Sequence, residues 1–192
     1  MTTEGGVEVV VAELARRQAA RGHDVTCYNR SGHHVSGPEF DVPKAKQWNG
    51  IHMKYVPTIQ GKGFSAVSAS FFAALACASG DYDIVHIHAE GPAYFAWLPK
   101  LFGKKVVTEI HGLDWQRAKW NSGLGSRFIK KGERNAVRYS DHIIVLSRNM
   151  QKYFEDTYKR KTTVISNGIN RPVRRRADII SREYGLEENG YI

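Results

Sequence analysis

Short β-branched runs and helix-patterned runs take turns along almost the whole chain, and this alternation limits the fold more than any other feature. Strands alternating with helices imply an α/β protein built on a parallel, doubly wound, Rossmann-like sheet. The clearest strand signal is Val106-Val107-Thr108-Glu109-Ile110, compact and β-branched, as a strand buried on both faces of a parallel sheet should be. Lys104 and Lys105 mark its start, after the turn signal at Gly103. His111-Gly112 then arrives where the strand should stop. Open α/β sheets bind ligands at the carboxyl ends of their strands, so this is where a titratable ring would serve chemistry. His111 taken alone is equally an ordinary loop histidine, and its surroundings must decide.

In chain order, Val7, Val10, Val11 and Leu14 recur at helical spacing and predict an amphipathic helix over 7–21, with Gly22 beyond its end. A strand follows over 23–28, and nothing before Gly5 supplies the strand that should feed this helix. Residues 29–49 read as a polar loop, 50–56 as a strand, 64–78 as an apolar helix and 82–88 as a strand. Pro92 is placed as the first residue of a short helix that ends at Gly103. After the 106–110 strand the pattern predicts a helix over 124–139, a strand over 142–146, a helix over 148–158 capped by Ser147, and a last strand over 162–166. Residues 1–170 thus form one domain, and 171–192 a linker with the start of another.

A chain of 192 residues, 42% of them hydrophobic and 24% charged, is long enough for one domain with a substantial core. Its longest apolar stretch, 71–78, is far short of the roughly 20 residues of a membrane span. No apolar leader precedes a cleavage site, and Cys27 and Cys77 read as free thiols, so a cytoplasmic setting is expected. The net charge of +9 points to an acidic partner: nucleic acid, anionic lipid or a phosphorylated substrate. Nucleic acid is disfavoured because no known aromatic-basic module is present.

Three clusters carry candidate chemistry. Gly5-Gly6 at a helix start lets backbone N–H groups close on an anion, although a plain tight turn explains them as well. The pair is not a dinucleotide fingerprint, since no third glycine follows. His86 and His88, two apart on a strand, point to one face; a metal is disfavoured because no third ligand falls at useful spacing. His88 borders the expected cleft and is followed by Glu90-Gly91, while His33-His34 reads as surface. Seven basic residues against one acid, Glu133, lie between Gln116 and Arg138. Arg127, Lys130, Lys131, Arg134 and Arg138 fall on one helical arc and Leu124, Phe128, Ile129 and Ala136 on another. That pattern is either a solvated face over a core stripe or a footing on anionic lipid, with Trp115 and Trp120 as interfacial anchors.

Several of these stretches, in this order, resemble the start of retaining glycosyltransferases of family 4. They are Glu4-Gly5-Gly6-Val7-Glu8, Arg21-Gly22-His23-Asp24-Val25-Thr26-Cys27-Tyr28, Asp83-Ile84-Val85-His86-Ile87-His88, Val107 to Trp115, Ser140 to Ser147 and Val164 to Ile169. The run His111-Gly112-Leu113-Asp114-Trp115-Gln116-Arg117-Ala118-Lys119-Trp120 is the most specific piece and is similar to a rhamnosyltransferase-like subgroup that builds surface polysaccharides.

The resemblance implies the N-terminal, acceptor-side half of a two-domain GT-B enzyme. Such an enzyme moves a sugar from a nucleotide-sugar donor to a lipid-linked or polysaccharide acceptor, with no cofactor and no obligatory metal. His111 is the implied catalytic contact near the reacting carbon. Gly5, Gly6, His88, Glu90, Gly112, Asp114, Trp115, Arg117 and Lys119 are the candidate donor- or acceptor-binding positions. Two departures accompany it: the first strand of the sheet is absent before Thr2, and the nucleotide-binding domain would begin near Tyr191-Ile192. The chain alone is therefore expected to be inactive, to sit peripherally on the inner membrane face, and to be able to exchange a strand with another copy. The rival readings are a non-catalytic module docking to membrane or partner, and a sugar-nucleotide epimerase, which the His-Gly-Leu-Asp-Trp run disfavours.

Overall fold

The computed structural model describes residues 6–33, 43–61, 63–113, 115, 123–169, 178–187 and 190. The chain runs α1 (Gly6–Ala20), β1 (Thr26–Arg30), β2 (Gln47–Trp48), β3 (Ile51–Val56), α2 (Phe64–Ser79) and β4 (Ile84–His88). It continues with α3 (Glu90–Ala93), α4 (Trp97–Leu101), β5 (Lys105–Ile110), α5 (Gly123–Tyr139), β6 (His142–Val145), α6 (Arg148–Tyr158), β7 (Thr163–Val164) and α7 (Asp178–Tyr184). Helices and strands alternate as the sequence pattern requires. No helix of the described residues is long and apolar enough to cross a membrane.

The strands form two sheets. One has the order β4-β5-β6-β7 and is parallel throughout; the other has the order β1-β3-β2, with β1 parallel and β2 antiparallel to β3. Among the described residues no ladder joins β1 to β4. The sheets instead meet at side chains, where the Tyr28 and Tyr82 hydroxyls lie 2.9 Å apart and Lys54 Nζ donates to Tyr82 at 3.0 Å. The polar stretch 29–49 is not all loop, since β1 runs on to Arg30 and Gln47–Trp48 pairs with β3.

The four-stranded sheet has two unlike faces. Because parallel partners point the same way, the pairs His86↔Val107, His88↔Glu109 and Glu109↔Ile144 define one face. The other face carries Val85, Ile87, Val106, Ile110, Ile143 and Val145, which pack with Ala93, Ala96, Ala136 and Phe154 into the main core. The 106–110 strand is covered on both faces, as expected, but the two faces differ in chemistry. Val106, Thr108 and Ile110 are fully buried on the core side, while the opposite side mixes half-buried Val107 with the Glu109 carboxylate. In the smaller sheet Ile51 and Met53 pack against Ala15 of α1.

Two local devices fix the helices that flank the site. Ser147 Oγ accepts the Met150 N–H at 3.3 Å and starts α6, as its position before the helical run predicts. Gly132 lets α5 press against α3, because a Cβ there would lie 1.9 Å from the Glu90 carbonyl oxygen. Pro92 is the third residue of α3 rather than its first, and the single expected helix breaks into α3 and α4. Leu124, placed by periodicity on the buried arc, is 82% exposed in the first turn of α5.

Candidate functional site at the ends of β4 and β5

Strand periodicity places His86 and His88 on the same face of β4, and the register of the parallel pair sets Glu109 of β5 directly beside His88. His111 follows just past the end of β5. The four side chains form one cluster: His88 Nδ1 and His111 Nε2 are 3.1 Å apart and share a hydrogen bond. Glu109 Oε2 lies 3.4 Å from His86 Nε2 and 3.5 Å from His88 Nδ1, and Glu109 Oε1 is 3.9 Å from His111 Nδ1. The rings of His86 and His88 are 4.2 Å apart at their centroids, and those of His88 and His111 stack at 5.4 Å.

Burial governs the electrostatics here. Desolvation first, then the neighbouring His86 and His111 imidazoles, push the His88 pKa down to about 3 against the opposing pull of Glu109. His88 is therefore an uncharged hydrogen-bonding ring at neutral pH. Burial acts to raise the Glu109 carboxyl, but the three imidazoles outweigh it and hold the group below its ordinary value. The result is a carboxylate compensated by rings rather than by lysine or arginine.

The backbone at this point is strained. Ala89, immediately after His88, has φ 75° and ψ 162°, a conformation suited to glycine. Its N–H donates to the Glu109 carbonyl at 2.8 Å, so the turn from β4 into α3 is fastened to β5.

The segment after His111 is also fastened. Leu113 packs on the main core. The Trp115 indole donates to Glu133 Oε2 at 3.0 Å and stands beneath Lys130, whose Nζ is 4.6 Å from the ring centroid. Glu133 Oε1 accepts the Tyr153 hydroxyl at 2.9 Å and the Tyr158 hydroxyl as well. Burial first, then this carboxylate, raise the pKa of both phenols, Tyr158 to about 12. Trp115 is half-buried and links the loop to α5 through these contacts. Arg127, Lys130, Lys131, Arg134 and Arg138 are exposed, as the helical arc predicts.

Of the residues singled out from sequence, the structure brings His88 and His111 together and sets Gly112 beside them in the bend after β5. Gly6 opens α1, which packs on the smaller sheet, and takes no part in the histidine cluster; a Cβ there would meet nothing within 4 Å. Glu90 is fully buried under α5. Gly5, Asp114, Arg117, Lys119 and Trp120 lie outside the described residues, as do 171–176. Glu109 and Glu133 were missed, though each carries a signal: a carboxylate inside an apolar strand, and the lone acid in a basic helix.

This geometry accompanies a match over most of the chain: the sequence profile described as Glycosyltransferase Family 4 covers residues 4–171. The chain belongs to glycosyltransferase family 4. Among curated proteins, none matches it closely enough to count as a relative. The family assignment gives the cluster its context, since His111 lies at the carboxyl end of a central parallel strand. That is the end at which sheets of this class take their ligands.

Proposed function

We propose that this family 4 domain is the acceptor-side half of a retaining GT-B glycosyltransferase of the rhamnosyltransferase-like subgroup. In this reading it moves a sugar from a nucleotide-sugar donor to a lipid-linked or polysaccharide acceptor during surface polysaccharide synthesis, with no cofactor or metal obligatory for the transfer. The observation that carries the reading is His111 at the end of β5, its ring oriented by a neutral His88 at 3.1 Å. Glycosyl transfer develops positive charge at the anomeric carbon and negative charge on the departing diphosphate. A ring held by an uncharged neighbour offers hydrogen bonds to the sugar without fixing an adjacent cation against that carbon. Gly112, Asp114, Trp115, Arg117 and Lys119 are assigned to the same saccharide-binding loop, and Gly5 and Gly6 to an anion-facing helix start.

Among the described residues, the groups that act electrostatically on His88 are His86, Glu109 and His111, with no lysine or arginine to receive a diphosphate. We therefore assign the donor's phosphates to a second lobe and expect the 192-residue chain to lack transferase activity alone. Titrating the isotope-labelled chain with lipid-linked saccharide, and separately with nucleotide sugars, tests this through the His88 and His111 imidazole resonances. Shifts with the saccharide support the acceptor-side reading. Shifts with nucleotide sugar alone, or sugar transfer by the chain itself, overturn it.

A membrane-docking role is a second reading, favoured by the exposed Arg127, Lys131, Arg134 and Arg138 on one face of α5. Each basic residue near an anionic leaflet contributes about 1 kcal/mol, so this face would hold the protein peripherally on the inner side of the membrane. Equal sedimentation with anionic and neutral vesicles rejects it. Exchange of a strand between copies across the unlinked edges of β1 and β4 would appear as a concentration-dependent oligomer in light scattering, and a monomer at all concentrations rejects it.

A further inference from the structure

We propose that His86, His88 and Glu109 form a binding site for a divalent transition ion of the zinc class. Sequence spacing argues against a metal here because it supplies only the two histidines; the β4–β5 register supplies the third ligand from the neighbouring strand. The candidate donor atoms are His86 Nε2, His88 Nδ1 and Glu109 Oε2, and the three residues can bring ligand atoms within 4.8 Å of one another. Zinc holds nitrogen and oxygen ligands at about 2.0–2.2 Å in a tetrahedron, so any two ligand atoms sit roughly 3.3–3.5 Å apart. The carboxylate oxygen lies 3.4 and 3.5 Å from the two ring nitrogens, which matches that edge length for two of the three ligand pairs.

A second observation points the same way. His86 Nε2 is buried and finds no ordinary hydrogen-bond partner, the Glu109 oxygen at 3.4 Å lying beyond the usual N–H···O range. A buried ring nitrogen without a partner is costly, and an ion between it and the carboxylate would satisfy both at once. The set is imidazole, imidazole and carboxylate on two hydrogen-bonded strands, chemistry that suits zinc, cobalt, nickel or iron(II) and not magnesium or calcium. Three protein ligands leave a fourth position for water or a small oxygen ligand. Occupancy would also withdraw His88 Nδ1 from its hydrogen bond with His111 Nε2.

The site is tested without any activity assay. The full chain, stripped with a chelator, is titrated with cobalt(II) and followed by its visible ligand-field bands, with zinc added as competitor and magnesium as control. One saturable equivalent, displaced by zinc and untouched by magnesium, is expected. Glu109→Gln and His86→Gln should each weaken it at least tenfold, while His52→Gln, at the exposed His52–Asp24 pair, should not. Absence of a saturable band, indifference to both site variants, or equal loss in His52→Gln overturns the proposal. Should a site variant fail to fold, X-ray absorption of the zinc-loaded wild-type chain decides. Two imidazoles with low-atomic-number oxygen support the site, and sulfur or an all-oxygen shell overturns it.

Discussion

Replacing Gly132 by alanine probes the contact on which the site's rear support depends. A Cβ at this position would lie 1.9 Å from the Glu90 carbonyl oxygen, 2.9 Å from its carbon and 3.2 Å from the Tyr94 nitrogen. All three are backbone atoms, so no side chain can swing aside, and α5 must retreat by more than an ångström. That retreat works against the Asn135 amide, which donates to the Tyr94 carbonyl at 2.6 Å. Gly→Ala inside a helix normally stabilises by about 1 kcal/mol through backbone propensity. Ordinary overpacking costs about 1–3 kcal/mol, and a rigid backbone clash with a strained hydrogen bond belongs at or beyond the upper end. The net expectation is a loss of about 2 kcal/mol, or roughly 4–8 °C in Tm for a domain of this size. Gly91→Ala in α3, where an added Cβ meets nothing within 4 Å, is the internal comparison and should be neutral or slightly stabilising. Urea denaturation of both variants, followed by tryptophan fluorescence, separates the two effects. A Gly132→Ala protein as stable as Gly91→Ala would refute the close approach of α3 and α5.

Further substitutions test other parts of the support. Ala89→Gly should stabilise by about 1 kcal/mol, since relief of a glycine-type φ of 75° exceeds the added chain entropy; a lower Tm would show the turn to be unstrained. Glu133→Ala removes the acceptor of Trp115, Tyr153 and Tyr158 and should cost roughly 3 kcal/mol, given about 1.5–3 for one hydrogen bond to a charged group. In the same variant an ultraviolet pH titration should find the Tyr158 phenol ionising below its present value of about 12. Asp141 accepts from Lys100 Nζ at 2.6 Å and the Val106 N–H at 2.8 Å, and these contacts hold its pKa below the ordinary value. A depressed carboxylate stabilises above its unfolded pKa of about 4 and ceases to as pH falls through the folded value. Wild type should therefore exceed Asp141→Asn in stability near neutrality, with the gap closing in acid; a gap constant with pH would contradict the ion pair.

Legibility from sequence followed the range of the interaction. β5 and its terminal His111 were readable because β-branched runs and punctuating glycines are local signals, and the Ser147 cap and exposed basic arc of α5 were readable for the same reason. Glu109 was not, because its meaning depends on a parallel register with β4 that no short-range pattern encodes. The burial of Glu90 was not readable for the same reason, since it depends on α5 packing over it at Gly132. One local clue did exist. An ionised carboxylate inside a strand bears a desolvation cost that apolar neighbours cannot offset. Once Glu109 is taken as charged, the fold must bring donors to it from the adjacent strand, and the same-face positions available on β4 are His86 and His88. That requirement turns an isolated His-Ile-His and a loop histidine into one cluster, and it makes the odd acid in the strand, more than the histidine beyond it, the residue from which the site can be deduced.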